Sequence, residues 1–215
     1  MADDDGPQGA LRYNDGQREL QDRFDTRRLA DRLGQVSSND LSGYRNFIEA
    51  ADTFFLATVD DQGQPQCSHK AGDPGFVRVL DAHTLAFPSY DGNGMFLSLG
   101  NMVVNPSVGM LFLDFEGGTR LRVNGLASVL LDDPLIGTFT GAQAVVRVEV
   151  TAAFPNCRRY VHPRQRVDRS PFVPTAGEEP PVPDWKLDPW FDGTLAAGDP
   201  ATEPGHPSAP AMPEF

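Results

Sequence analysis

The sequence predicts a mainly β protein of the α+β class, a small antiparallel barrel with peripheral helices. Two observations lead there. Between Phe54 and Asn124, short apolar runs of strand character follow one another across turns rich in Gly, Pro, Asn and Asp, and one helix-sized segment interrupts them. At both ends the composition changes. The opening MADDDGPQGA and everything after about Pro163 are rich in Pro, Gly, Ala and acid, too poor in apolar surface to offset the entropy of ordering. The expected division is a disordered acidic N-terminus over 1–15, a peripheral amphipathic helix over 16–38, a barrel domain over 39–162 and a largely irregular Pro/Gly-rich extension over 163–215.

Taken in order, Gly16 to Leu33 sets Leu20, Phe24, Leu29 and Leu33 near helical spacing in a charged background, which predicts one amphipathic helix. A second helix follows, with Asn39 or Asp40 as its cap and Leu41, Tyr44, Ile48 and Ala51 on one side, laid across an end of the barrel. TFFLATV is the first strand, and the turn DDQG suits a tight reversal. In the next strand Gln66, Ser68 and Lys70 point one way and Cys67 and His69 the other, since strand side chains alternate. The turn GDPG leads into the pair FVRVLD and TLAFP, then into the loop SYDGNG.

The segment FLSLGNMVVNP reads as a helix with Phe96, Leu97, Leu99, Met102 and Val103 largely buried, ended by Asn105-Pro106 because Pro disfavours α geometry in the residue before it. SVGMLFLDF and TRLRVNGLASVL are the next strands. Phe112 and Leu113 lie in a nearly continuous apolar run that suggests burial on both faces. In the second of these strands Arg120, Arg122 and Asn124 share a face, and Gly125 suggests a bulge or a close backbone approach. AVVRVEVTAAF is the last strand, followed by FPNCRRYVHP, whose polar residues suit the cover of a barrel end or a partner subunit.

Charge narrows the function. With 18 basic and 30 acidic residues the formal net charge is −12, which disfavours nucleic acid and anionic membrane as partners. Only two of the basic residues are lysines, Lys70 and Lys186, so Lys70 stands out inside the best-organised stretch. Cys67 and Cys157 lack metal-ligand spacing and cannot make a disulfide framework; with no signal-like or membrane-length apolar run, a cytoplasmic protein is expected. The four histidines are scattered, so no metal site is expected.

Ser68 and Lys70, Asn93 of the glycine-rich loop, Ser98 and Asn101 of the following helix, and Arg120 together offer an ammonium, a guanidinium and several neutral donors. With the N–H groups of a helix start they suit a phosphate monoester on a flat polar ring. The same residues also serve turns and caps, and periodicity by itself favours that plainer role.

The run ATVDDQGQP with SHKAG, FVRVLD, TLAFPSYDGNG, SLGNMVVNP, VGMLFLDFEGGTRLRVNG and VRVEVTAAFPNCRRYV resembles the flavin-binding pyridoxamine 5′-phosphate oxidase-like proteins from about Leu41 to Val161. The resemblance implies a six-stranded antiparallel split β-barrel that forms a homodimer, with FMN in clefts between subunits and a small-molecule substrate. It implies Ser68, His69 and Lys70, then Ser89, Asn93, Ser98 and Asn101, as donors to the flavin phosphate. The resemblance also implies Arg120 as a polar residue near the flavin ring, with Arg122 and Asn124 as weaker candidates.

Two departures matter. Gly94 and Met95 stand where relatives carry Arg or Lys after the loop Asn, so weak FMN retention is expected. Trp185 and Trp190 do not follow the Arg- and Trp-bearing ending of the vitamin B6 oxidase, so that activity is not expected. A deazaflavin or haem in the same cleft, or a non-catalytic ligand-binding dimer, are the alternatives. No catalytic residue stands out; His69 and Cys157 are the candidates, and a structural place suits each of them better.

Overall fold

A computed structural model describes residues 11–202. The expectations for 1–10 and 203–215 lie outside the described residues. The chain divides into two compact units, with the boundary in sequence between Gln165 and Arg166.

The first unit carries helices α1 (Asp15–Arg23), α2 (Arg27–Gly34), α3 (Arg45–Ala50) and α4 (Leu97–Val104). Its strands are β1 (Thr53–Val59), β2 (Pro65–Ala71), β3 (Arg78–Val79), β4 (Thr84–Ser89), β5 (Ser107–Leu113), β6 (Arg120–Leu130) and β7 (Ala144–Asn156). All seven form one antiparallel sheet in the order β2-β1-β5-β6-β7-β4-β3. The expected count of six is therefore corrected to seven, the added member being the two-residue β3. The mainly β class holds.

The sheet curls on itself. Phe54 of β1 and Phe87 of β4 stand four strands apart, about 19 Å in a flat sheet at the usual strand spacing. Their rings nevertheless meet edge to face at 5.1 Å, with Phe112 of β5 and Phe76 at 5.2 and 5.8 Å from Phe54. Leu56, Met110, Leu121, Val123 and Val148 complete this core, and Leu41 with Ile48 close one end. No pairing joins β2 to β3, so the barrel stays split along that seam.

Several local expectations are revised. The single helix over 16–33 is two helices. After Arg23 the chain turns through Asp25 at φ 51°, with Thr26 N–H donating to Gln21 O and Asp25 N–H to Asp22 O, the paired bonds of a Schellman ending. The capping box of Asn14 and Gln17 starts α1 instead. Leu20, Phe24, Leu29 and Leu33, placed on a packing face by their spacing, are all more than half exposed. Neither Asn39 nor Asp40 caps α3: Asp40 accepts the Ser42 N–H in a preceding turn, and the helix starts after Tyr44. In β5, Phe112 is buried but Leu113 only partly, so one face is dry rather than both.

Gly125 marks a bulge, where the β6–β7 register slips between Asn124 and Gly125. A Cβ there would stand 2.5 Å from the Glu149 carbonyl oxygen and 2.5 Å from Val148 Cγ1. Gly125→Ala is expected to destabilise by about 1–3 kcal/mol, since a backbone carbonyl must move. A urea midpoint equal to that of the parent protein would contradict this.

Among its described residues the second unit has three short 3₁₀ turns, Asp184–Leu187, Pro189–Phe191 and Pro200–Thr202. Its centre is an ion pair: Lys186 Nζ donates to Asp199 Oδ2 at 2.8 Å, both side chains being almost fully buried. Trp185 and Trp190 each set an edge against Phe191.

Candidate functional site

Strand alternation and register sort the expected site residues onto two faces. Lys70 stands opposite Phe54 and Ser68 opposite Leu56, so both share the inward face of β2 with the core side of β1. Helix α4 covers the end of that face. Ser68 Oγ lies 3.1 Å from Ser98 Oγ, and Asn101 Nδ2 donates to Thr58 Oγ1 at 3.1 Å. Ser68, Lys70 and Ser98 thus lie along one β2–α4 seam. Asn101 belongs there too, but its buried amide is committed to Thr58 and acts as a tie between helix and barrel.

Lys70 is half-buried and makes no side-chain hydrogen bond or ion pair within the described residues. Burial holds its ammonium below the ordinary lysine range, because desolvation penalises the charged form. A partly desolvated cation on one strand face with Ser68, whose hydroxyl meets Ser98 in the first turn of α4, is a donor set suited to an anion. The helix start is itself unusual: Phe96 sits in the left-handed region at φ 49°, a costly conformation for a bulky residue. Its carbonyl accepts the Gly100 N–H at 2.7 Å.

The remaining residues have partners of their own. Asn93 closes a local turn by accepting the Met95 N–H, and Ser89 ends β4 beside Ala144. His69 faces away from Ser68 and Lys70, with Nε2 2.5 Å from Thr53 Oγ1 and its ring near Phe55. The row Phe55, Leu111, Arg122 carries that outer face across to β6, where Arg120 and Asn124 also point outward. Arg120 Nη2 makes one long contact, 3.5 Å, to Arg159 O, and its Nε is buried without an acceptor. Within one chain, then, Arg120 does not face the Lys70 seam.

Helix α4 differs from its expected burial. Met102 is packed, but Phe96, Leu97 and Val103 are 57%, 48% and 72% exposed, with Met95 and Val104 beside them equally open. Helical spacing marks an apolar stripe without saying what covers it, so no signal in the sequence separates this face from a core face.

The sequence model of the family described as pyridoxamine 5′-phosphate oxidase matches residues 42–164. The chain belongs to this family. Solved structures with similarity to it include HupZ of Group A Streptococcus, 20% identical over 53% of this chain and 92% of that one, TM-score 0.43. HutZ, the heme storage protein from Vibrio cholerae, is 20% identical over 52% and 91%, TM-score 0.38. An FMN-binding protein from Syntrophomonas wolfei is 13% identical over 65% and 97%, TM-score 0.37. No curated protein matches the chain.

In this pyridoxamine 5′-phosphate oxidase-family chain the β2–α4 seam and the outer face of β6 both lie inside the matched stretch. Among the described residues no group of three or more His, Cys, Asp or Glu could hold a metal ion. No described helix is long and apolar enough to cross a membrane.

Proposed function

We propose that the chain is a cytoplasmic FMN-binding homodimer that carries out a flavin-dependent redox reaction on a small molecule. The observation that carries this is the half-buried Lys70 ammonium, without an acidic partner, on the same strand face as Ser68, whose hydroxyl meets that of Ser98. Lys70, Ser68, Ser98 and the first N–H groups of α4 would hold the flavin phosphate. Bound FMN would supply hydride exchange at its ring system, while the protein orients the substrate and limits water.

Two observations support a dimer. Six exposed apolar side chains, Met95, Phe96, Leu97, Val103 and Val104 around α4 with Leu126 of β6, are more than isolated surface residues. The Lys70 seam and the Arg120 face point in opposite directions, so a ligand touched by both takes one set from each of two copies. Gly94 and Met95 place no cation after Asn93, which agrees with weak FMN retention.

The test is reconstitution with excess FMN, gel filtration, a visible spectrum and sedimentation. Flavin absorbance in a particle of twice 23.4 kDa is expected, with some flavin lost on dilution. A Soret band after exposure to haem, with no flavin retained, would transfer the cleft to haem; retention of a deazaflavin alone would transfer it to that cofactor. A monomer that holds no FMN would end the reading.

A further inference from the structure

Where β6 begins, on the sheet face opposite the Lys70 seam, the chain gathers arginines that it leaves without acids. We propose that Arg120, Arg158 and Arg159 form a binding site for a small carboxylate- or phosphate-bearing molecule and present it to the thiol of Cys157.

The arrangement is built by β6, β7 and the β5–β6 turn. Arg120 opens β6 opposite Asn156, the last residue of β7, and its Nη2 reaches Arg159 O, two residues past Cys157, at 3.5 Å. Arg159 Nε donates to Cys157 Sγ at 3.1 Å, and the Arg159 backbone N–H points at the same sulfur from 3.5 Å. Arg158 lies against the turn, where a Cβ on Gly118 would meet its Cβ at 3.7 Å and its Cδ at 3.8 Å. Bonding to Arg159, with the Arg120 charge nearby, holds the thiol below its ordinary range, which favours the nucleophilic thiolate.

The acids that face the cluster do not neutralise it. Asp114 spends Oδ1 on the Glu116 and Gly117 N–H groups at 3.0 and 2.9 Å, and Glu116 stands exposed in the turn without an arginine partner. The strand partners of Arg120 are Leu113 and Asn156, neither of them acidic. None of the three arginines makes an ion pair among the described residues, in a chain whose acids outnumber its bases 30 to 18. A buried guanidinium Nε with no acceptor is an unmet donor of the kind native proteins avoid, and an oxyanion would meet it.

Cys67 is the internal control. It is exposed on β2, and no arginine is bonded to it. The full chain is alkylated separately with neutral iodoacetamide and anionic iodoacetate, and each cysteine is followed by peptide mass spectrometry. In both reactions the thiolate sulfur bonds to the methylene carbon and iodide leaves. At low salt the iodoacetate-to-iodoacetamide rate ratio at Cys157 is expected to exceed that at Cys67 by about tenfold, the lower end of electrostatic enhancement in like-charged clefts. Arg159→Gln and Arg158→Gln, both at exposed positions, should bring it down towards the Cys67 value, as should ~1 M salt, where screening acts within about 3 Å.

At constant ionic strength, inorganic phosphate or succinate should slow carboxymethylation of Cys157 and leave Cys67 unchanged, and the stronger of the two identifies phosphate or carboxylate as the natural group. Equal ratios at the two cysteines, or a ratio at Cys157 untouched by Arg159→Gln, would overturn the proposal. Arg120 also lies on the face offered to the flavin, but these readings follow Cys157 and Arg159, which take no part in the FMN cleft, so a failure here leaves the Lys70 reading standing.

Discussion

Lys70→Ala is expected to weaken FMN binding on the order of 10- to 150-fold, the equivalent of the 1.5–3 kcal/mol typical of a hydrogen bond to a charged group. The effect is large because the cation is already partly desolvated and has no acid to satisfy it, so a phosphate gains most of the interaction. Fluorescence titration of FMN measures it directly.

The pH dependence has a definite sign. Burial lowers the pKa of Lys70 in the ligand-free fold, and FMN needs the charged form. Affinity should therefore fall as pH rises through that lowered value, earlier than an ordinary lysine near 10.4 would cause, and binding should take up a proton there. For the ligand-free protein the sense reverses. Between the lowered pKa and the ordinary one the unfolded chain binds more protons, so this group's contribution to stability rises with pH. Lys70→Ala should abolish both trends. Unchanged affinity and an unchanged alkaline limb would remove Lys70 from the site.

Phe54→Ala is the substitution expected to cost most in stability, about 3–5 kcal/mol against a total of roughly 5–15 for a domain. Its ring is fully buried and touches Phe76, Phe87 and Phe112, the contacts through which β1 and β4 hold the curled sheet together. Phe54→Leu, which leaves a smaller void, should lose less. Equilibrium urea unfolding separates them, and a loss under about 1 kcal/mol for the alanine variant would show that the core can collapse around the gap.

Particular residues show what could be read without coordinates. The alternation of Gln66, Ser68 and Lys70 against Cys67 and His69 was legible, because a strand has a period of two whatever it packs against. It already separated His69 from the pair the resemblance joined it to. Gly125 was legible as a bulge from its place in an otherwise regular strand. The break of the first helix at Asp25 was not, since the left-handed turn there uses Asp rather than the glycine that usually signals it. The exposure of Phe96, Leu97 and Val103 was not either, because apolar spacing is the same for a core face and for one left open to a partner.

By itself the sequence determined the strands, the turns, the family and the chemical types gathered in the matched stretch, all properties of local period, backbone preference and order along the chain. Only the tertiary structure decided which of those groups meet. Register across β2, β1, β5 and β6 sends Lys70 and Arg120 to opposite faces, Asn101 spends its amide on Thr58, and Arg120 arrives beside a cysteine 37 positions later. Those outcomes depend on how a curled sheet pairs residues distant in sequence, and no local pattern encodes that pairing.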